Sequence, residues 1–285
     1  MTPVNTIIAV VLLFTIIAVG FDLKKERIIP NYLSYFLIIF GLGSHTIISL
    51  LDASIWPLAY SIIGTVVLFT FGAILYYAGV WAGGDTKMLT GFGATLATVP
   101  AVVGWPFLFT IVFNILLLGS VMGLLWSIGL AIKHRKEFVI EASKIVSKSR
   151  WVVALLYASL ILVILSFVFQ KFAFETSFIW ATTVLLFYLF VSLKAVENSC
   201  MYKTIKADEL IEGDWIAEPI KHKNKIIYKP SKVGIEQTDI NKLVSLKVKS
   251  IRVKDGLPYL PAFLVALIVS LFGIDVMFFI FKSLV

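Results

Sequence analysis

The chain has 285 residues, of which 59% are hydrophobic and 15% charged, with a mean hydropathy of +0.96 and a formal net charge of +8. A soluble domain carries about a quarter charged residues; here the apolar residues run in blocks of about 20, the length that crosses a hydrocarbon core, so an ordinary soluble domain is excluded. The single cysteine, Cys200, excludes an intramolecular disulfide and any multi-cysteine metal site.

In chain order, eight candidate spans cover roughly residues 4–22, 31–51, 57–80, 88–104, 106–132, 151–169, 177–195 and 259–281. No basic segment precedes the first block, so it is not expected to be a secretory signal. The fourth span is short, contains glycine and ends at Val99-Pro100. Trp56, Trp81, Trp105, Trp151 and Trp180 fall near span ends, where amphipathic indole rings favour the water interface. Between the fifth and sixth spans, His134 to Arg150 places Phe138, Ala142, Ile145 and Val146 at helical spacing among charges, which predicts a helix on the membrane surface. Residues 197–257 form one sizeable soluble piece. Trp215 to Ile220 and Lys225 to Tyr228 read as strands, Thr238 to Leu243 as a capped short helix, and Val248 to Lys254 as a half-buried alternating strand.

The expected fold class is an all-α polytopic membrane protein with about eight transmembrane helices (six or seven if the weaker spans fail) and a small α+β cytosolic module near the C-terminus. The corresponding domains are a membrane core at 1–132, an interfacial helix at 133–150, two further helices at 151–196, the module at 197–257 and a final helix at 258–285.

Charge sets the expected orientation. With the N-terminus outside, Lys24, Lys25, Arg27, Lys87, the six basic residues of 133–150 and the thirteen from Lys194 to Lys254 all lie inside, 23 of the 25 Lys and Arg. Only Lys171 and Lys282 lie outside. The positive-inside rule therefore places both termini outside the cell membrane. The net positive charge has this explanation and needs no nucleic acid. The 197–257 module, with 12 basic and 9 acidic residues, shows no basic stripe with interleaved aromatics.

Two acids stand at the inner face in this topology. Asp22 follows the first span in Gly20-Phe21-Asp22-Leu23-Lys24, a few residues before Ile29-Pro30-Asn31. Taken singly it reads as a solvated interfacial charge, although acids at membrane depth are functional candidates. Pro30 holds Ile29 out of helical geometry and Asn31 is placed to cap the next helix. Asp85 follows Gly83 and Gly84, which permit close backbone approach, and taken singly it reads as a helix cap. Two carboxylates brought together can share one proton, because both cannot ionise at close range. The ionised one takes a proton from water and the neutral one polarises a carbonyl, chemistry that needs neither metal nor covalent intermediate. Spacing does not establish that residues 22 and 85 meet.

The two motifs resemble those of the type IV prepilin peptidases, within them the archaeal preflagellin (prearchaellin) peptidases. In that family a first aspartate ends the first helix shortly before an Ile-Pro-Asn turn, as Asp22 does before Ile29-Pro30-Asn31. A second stands in Gly-Asp-x-Lys at a helix start, as in Gly84-Asp85-Thr86-Lys87, and Met88-Leu89 and Gly93-Ala94 also suit the pattern. The match covers roughly the first 130 residues. Ala82 stands where the Gly-x-Gly-Asp form has its first glycine. The cysteine-based metal-binding insert of many bacterial members is missing, which favours the archaeal-type branch and leaves no argument for N-methyltransferase activity. The junction from Asp255 to Phe263 resembles the C-terminal extension of some archaeal members.

The resemblance implies an aspartic endopeptidase with catalytic Asp22 and Asp85, and no cofactor or metal. Gly83, Gly84, Lys87, Pro30 and Asn31 would support the site, Lys87 by orienting Asp85 or by snorkelling at a helix end. The implied partners are pilin-like or archaellin precursors, whose short basic leader is cut from a hydrophobic helix at the cytosolic boundary, together with the lipid bilayer and no nucleic acid. Glu26, Glu137 and Glu141 are the loop acids available to a basic leader. The sequence is silent on oligomeric state and on the particular precursor. His45 and Asn114, inside spans, are expected to hydrogen-bond between helices; Asp275 lies near the outer end of the last span. Competing readings are a transporter or cation pathway using membrane acids, a presenilin-type intramembrane protease, and a silent homologue acting in assembly. The first predicts mid-membrane acids and paired broken helices; the second predicts a Tyr-Asp motif that Phe21-Asp22 only approximates.

Overall fold

A backbone in lipid must satisfy its own N–H and C=O groups, so each apolar block folds as a helix. The structure, a computed structural model, describes residues 3–24, 29–101, 105–168, 173–222, 225–248 and 250–276. The helices in chain order are α1 (Pro3–Asp22), α2 (Asn31–Leu51), α3 (Trp56–Tyr77), α4 (Gly83–Leu96), α5 (Phe107–Lys133), α6 (Arg135–Lys148), α7 (Arg150–Val168), α8 (Ala173–Cys200), α9 (Gln237–Ser245) and α10 (Leu260–Leu271). The strands are β1 (Tyr202–Ile205), β2 (Trp215–Ile216), β3 (Ile220–His222), β4 (Lys225–Tyr228) and β5 (Ile251–Lys254). The chain divides into one unit of Met1–Leu124, Ile205–Ile251 and Gly256–Val285, and a second of Leu125–Thr204 and Arg252–Asp255.

Among the described residues six helices are long and apolar enough to cross a membrane: α1, α2, α3, α5, α7 and α8. The chain is a polytopic all-α membrane protein with a small C-terminal module. Two of the eight expected spans differ from expectation. The fourth is the 14-residue α4, Gly83 to Leu96 instead of 88–104. At 1.5 Å per residue it is about 21 Å long, short of the roughly 30 Å hydrocarbon core. The last, expected over 259–281, is helical from Leu260 to Leu271 and then turns at Gly273, whose φ is +73°; its remainder lies outside the described residues.

The sequence of α4 explains its place. Eleven of its residues, Asp85, Thr86 and all of Met88 to Leu96, are buried. Helices in lipid gain little by hiding apolar surface from one another, so close packing of small residues decides which ones meet. Gly93 of α4 backs onto Gly64 of α3, Gly41 of α2 onto Ala94, and Gly72 of α3 onto Thr86, each leaving no room for a Cβ. Ser61 Oγ donates to the Ala94 carbonyl at 2.6 Å and Thr86 Oγ1 to the Gly72 carbonyl at 3.1 Å. Buried His45 joins α2 to the chain beyond α4, with Nδ1 2.7 Å from the Gly41 carbonyl and Nε2 2.8 Å from Thr98 Oγ1.

A pair of serines tests this packing. Ser34 Oγ is buried and has no hydrogen-bond partner among the described residues. Ser61→Ala is expected to lower stability by about 0.6 kcal/mol, the mean for a hydrogen bond between membrane helices. Ser34→Ala is expected to be neutral or stabilising, because it removes an unsatisfied polar atom. Thermal unfolding of the two variants in detergent checks the contrast.

The break after α10 is held by α5. Asn114 Nδ2 donates to the Ile274 carbonyl at 2.9 Å and to Ser270 Oγ at 2.9 Å, and Asn114 Oδ1 accepts from the Val276 amide at 3.1 Å. One amide side chain thus replaces the helical partners that the turn at Gly273 removes. Thr110 Oγ1 donates to Asp275 Oδ2 at 3.1 Å beside it.

In the module of the first unit, the expected strand over 215–220 is split into β2 and β3, with Pro219 between them, a residue with no N–H to give to a ladder. β3 and β4 pair antiparallel, Lys221 opposite Ile226 and His222 opposite Lys225. The expected helix at Thr238 is α9, which buries Ile240 and Leu243. The alternating strand expected from Val248 is β5, beginning at Ile251.

In the second unit α6, predicted as a surface helix, buries none of its residues and packs against α7 and α8. β1 lies beside β5. Glu197 of α8 pairs with Lys194 at 2.8 Å and with Lys254 of β5 at 2.9 Å.

Candidate active site

Asp22 is the last residue of α1 and is 6% exposed. The C-terminal end of a helix is rich in carbonyls and disfavours an anion, so a carboxylate there needs a donor from elsewhere. Asp22 Oδ2 accepts the backbone amide of Leu260 at 2.9 Å. Leu260 is the first residue of α10, and its N–H is one of the orphan donors that every helix start leaves. Pro261 follows it and has no N–H to offer. Asp22 thus caps a helix 238 positions away in sequence.

Asp85, also 6% exposed, stands in the first turn of α4. Its Oδ2 accepts the Ala82 amide at 3.1 Å, the carboxylate half of a capping box. Ala82 has no side-chain oxygen to return the bond. The capping role expected of Asp85 alone is therefore present, and it coexists with the pairing: Asp22 and Asp85 lie within electrostatic reach of each other. Each carboxylate is tethered through one oxygen to the amide of a different helix start.

The residues expected to support the site are placed in ways the sequence only partly disclosed. Gly83 and Gly84 open α4 with no positive φ. A Cβ on Gly84 would meet Ile29 Cδ1 at 2.5 Å, so Gly84 is where the chain before α2 closes over the start of α4. Gly83 is less demanding, with Tyr76 Cε2 at 3.7 Å from the position of a Cβ. Pro30, not Asn31, occupies the N-cap of α2, and no side chain caps that helix. Asn31 Oδ1 instead accepts from Lys87 Nζ at 2.7 Å, and the ammonium lies 6.0 Å from the Tyr35 ring. Lys87 therefore ties α4 to α2. Asp85 accepts from the Ala82 amide, while Lys87 donates to Asn31.

This link gives a second prediction. Lys87→Met and Asn31→Ala are each expected to cost about 1 kcal/mol or less, and the double variant no more than the larger single loss, because both remove one interaction. Denaturation of the four proteins in detergent measures it.

Three parts of the site were missed. Trp81, read as an interfacial anchor, is buried at 4% exposure, while Trp56, Trp105 and Trp151 are 60%, 56% and 85% exposed. Its ring meets Phe71 edge-on at 6.3 Å and packs on Tyr259 and Phe263 at 5.6 and 5.5 Å. Tyr259, the N-cap of α10, lies within electrostatic reach of Asp85. The Leu260 amide was invisible as a ligand, although Pro258 and Pro261 around it mark a helix start, where free amides seek an anion. On the same unit, Tyr76 Oη, nine residues before Asp85, donates to the Val233 carbonyl of the module at 3.4 Å.

Among the remaining sequence candidates, Glu26 lies outside the described residues. Glu141 pairs with Lys144 at 2.6 Å on α6, and Glu137 stands in the first turn of that helix. Both belong to the second unit. Among the described residues no three His, Cys, Asp or Glu side chains converge as a metal site.

Comparison with known proteins bears on the segment that holds both acids. Residues 9–128 match the Type IV leader peptidase family. Over 86 residues the chain is 36% identical to prepilin peptidase EppA of Methanothermobacter thermautotrophicus, covering 30% of this chain and 22% of that protein. Over 72 residues it is 42% identical to a preflagellin peptidase of Methanococcus maripaludis, covering 25% of this chain and 30% of that one. The matched stretches thus span between about a fifth and a third of these relatives. No solved structure matches the chain. The resemblance to leader peptidases read from Asp22, Ile29-Pro30-Asn31 and Gly84-Asp85-Thr86-Lys87 holds over that segment, which contains every one of these residues. The leader peptidase segment ends before α10, so the Leu260 amide and Tyr259 are contributions from outside it.

Proposed function

We propose that this chain is a membrane-embedded aspartic endopeptidase that removes the leader of pilin-like or archaellin precursors at the cytosolic face of the cell membrane. The observation that carries the proposal is the approach of Asp22 and Asp85, two buried carboxylates from separate helices held on separate helix-start amides, inside the segment that matches the leader peptidases. In the reaction one carboxylate is ionised and takes a proton from a water, whose oxygen attacks the scissile carbonyl. The other, protonated, donates to that carbonyl oxygen. The tetrahedral intermediate collapses with the C–N bond breaking and a proton passing to the leaving amine, and the pair is left holding one proton as before. The two acids titrate as a pair, and the two roles belong to the pair.

The orientation rests on charge and on the short α4 completing a crossing together with the turns that flank it: with both termini outside, 23 of the 25 Lys and Arg then lie on the side of Asp22 and Asp85. A precursor whose hydrophobic helix spans the bilayer presents the boundary with its basic leader at that same level. The positions of the acids at helix ends, instead of mid-membrane, weigh against a transporter. Co-expression with an archaellin or pilin precursor in membranes tests the reading. A gel shift with a new N-terminus at the leader boundary is expected, and no shift with any of several such precursors would contradict it.

A further inference from the structure

The amides that hold the two acids belong to residues whose predecessors touch. Ala82, donor to Asp85, follows Trp81; Leu260, donor to Asp22, follows Tyr259. The Trp81 and Tyr259 rings pack together with their centroids 5.6 Å apart. The Tyr259 hydroxyl donates to the Ile115 carbonyl of α5 at 3.3 Å. It lies against Gly119, where any Cβ would collide with it. Trp81 is fixed from its other sides by Phe71 and Phe263.

We propose that Trp81 and Tyr259 are positioning residues that set the separation of the two carboxylates, by joining the start of α10 to the start of α4. The inference rests on the aspartic peptidase reading and adds to it. The acids come from α1 and α4, but their tethers come from the turn before α4 and from a helix that enters after the whole module. Nothing in either leader peptidase motif fixes the second tether. The Trp81–Tyr259 contact does, because moving Tyr259 moves the adjacent Leu260 amide and with it Asp22. Proton sharing requires a fixed distance, and a displacement of about 1 Å in catalytic geometry costs on the order of a hundredfold in rate.

The test uses Tyr259→Phe, which keeps the ring and removes the hydroxyl that donates to Ile115, and Trp81→Phe, which shrinks the ring packed on Tyr259. Cleavage kinetics of a purified precursor are compared with those of wild type, Asp22→Asn and Asp85→Asn. Tyr259→Phe is expected to lower kcat about tenfold or more with KM within about twofold, and to move the pH–rate profile, since the coupling between two acids depends on their distance. The double variant is expected to lose no more than the worse single one. A second measurement needs no substrate: spin labels at Leu23→Cys and Val80→Cys, both exposed, in a Cys200→Ser background. One narrow distance distribution is expected with Tyr259, and a broader or shifted one with Tyr259→Phe. If the two asparagine variants are dead while Tyr259→Phe keeps its kcat, pH profile and distance distribution, the positioning role is overturned and the peptidase reading stands. If the asparagine variants still cut, the two-acid reading falls, and an unchanged distance distribution would remove the positioning role as well.

Discussion

Asp22→Asn and Asp85→Asn are each expected to lower kcat/KM for precursor cleavage by at least about a thousandfold, the scale lost when one member of a catalytic unit is removed. Asparagine is nearly isosteric with aspartate and keeps a carbonyl oxygen. In Asp22→Asn that oxygen would still accept from the Leu260 amide, and in Asp85→Asn from the Ala82 amide, the two bonds that anchor the native carboxylates. The fold should therefore survive while the shared proton is lost. Alanine would be a poorer probe: Asp22→Ala leaves the Leu260 N–H unpaired beside a buried site, a cost of about 1–3 kcal/mol in stability. Kinetics with the purified precursor, read beside unfolding midpoints of the same preparations, separate the two effects. Either asparagine variant cutting within tenfold of wild type would show that its acid does not do the chemistry.

Gly93→Leu is expected to show the largest loss of stability of any single substitution in the membrane core, about 3 kcal/mol or more. A Cβ at Gly93 would meet the Gly64 carbonyl carbon at 2.7 Å and the Thr65 amide nitrogen at 3.0 Å. These are backbone atoms of a neighbouring helix and have no rotamer by which to move aside. To fit the side chain α3 and α4 must separate, which also stretches the bonds from Ser61 to Ala94 and from Thr86 to Gly72. Since α4 carries Asp85, activity should fall with stability. Gly20→Ala and Gly43→Ala are the controls. A Cβ at either meets nothing within 4 Å, and alanine gains up to about 1 kcal/mol over glycine in a helix. Thermal unfolding in detergent should place Gly93→Leu far below wild type and the two controls at or above it.

Much of the fold was legible because membrane helices announce themselves by length and apolar run, and α1, α2, α3, α5, α7 and α8 are of that kind. The fourth span was misjudged for the reason that places it at the centre. Gly91, Gly93, Ala94, Thr90 and Thr95 make poor lipid-facing surface and good helix-to-helix contact, so α4 is short and buried on nearly all sides. The two acids were candidates through local motifs and a charge-based topology, and their pairing was expected only through the family resemblance. Their tethers were not legible. A backbone amide carries no residue signature, and Leu260 meets Asp22 only because α10 returns to the core after the module. Trp81 was misread because an indole near a span end suits the interface and a buried aromatic cluster equally well. Lys87 lies two residues after Asp85, and the sequence had no means of favouring Asn31, on another helix, over Asp85.

The proposed mechanism requires one proton shared between Asp22 and Asp85, and the pH dependence of kcat/KM for the purified wild-type protein tests it most directly. Protonating the pair fully removes the base, and ionising it fully removes the acid. The rate should therefore fall on both sides of a single maximum. A rate that rises with pH to a plateau and does not fall again would contradict a mechanism that requires one carboxyl of the pair to keep its proton.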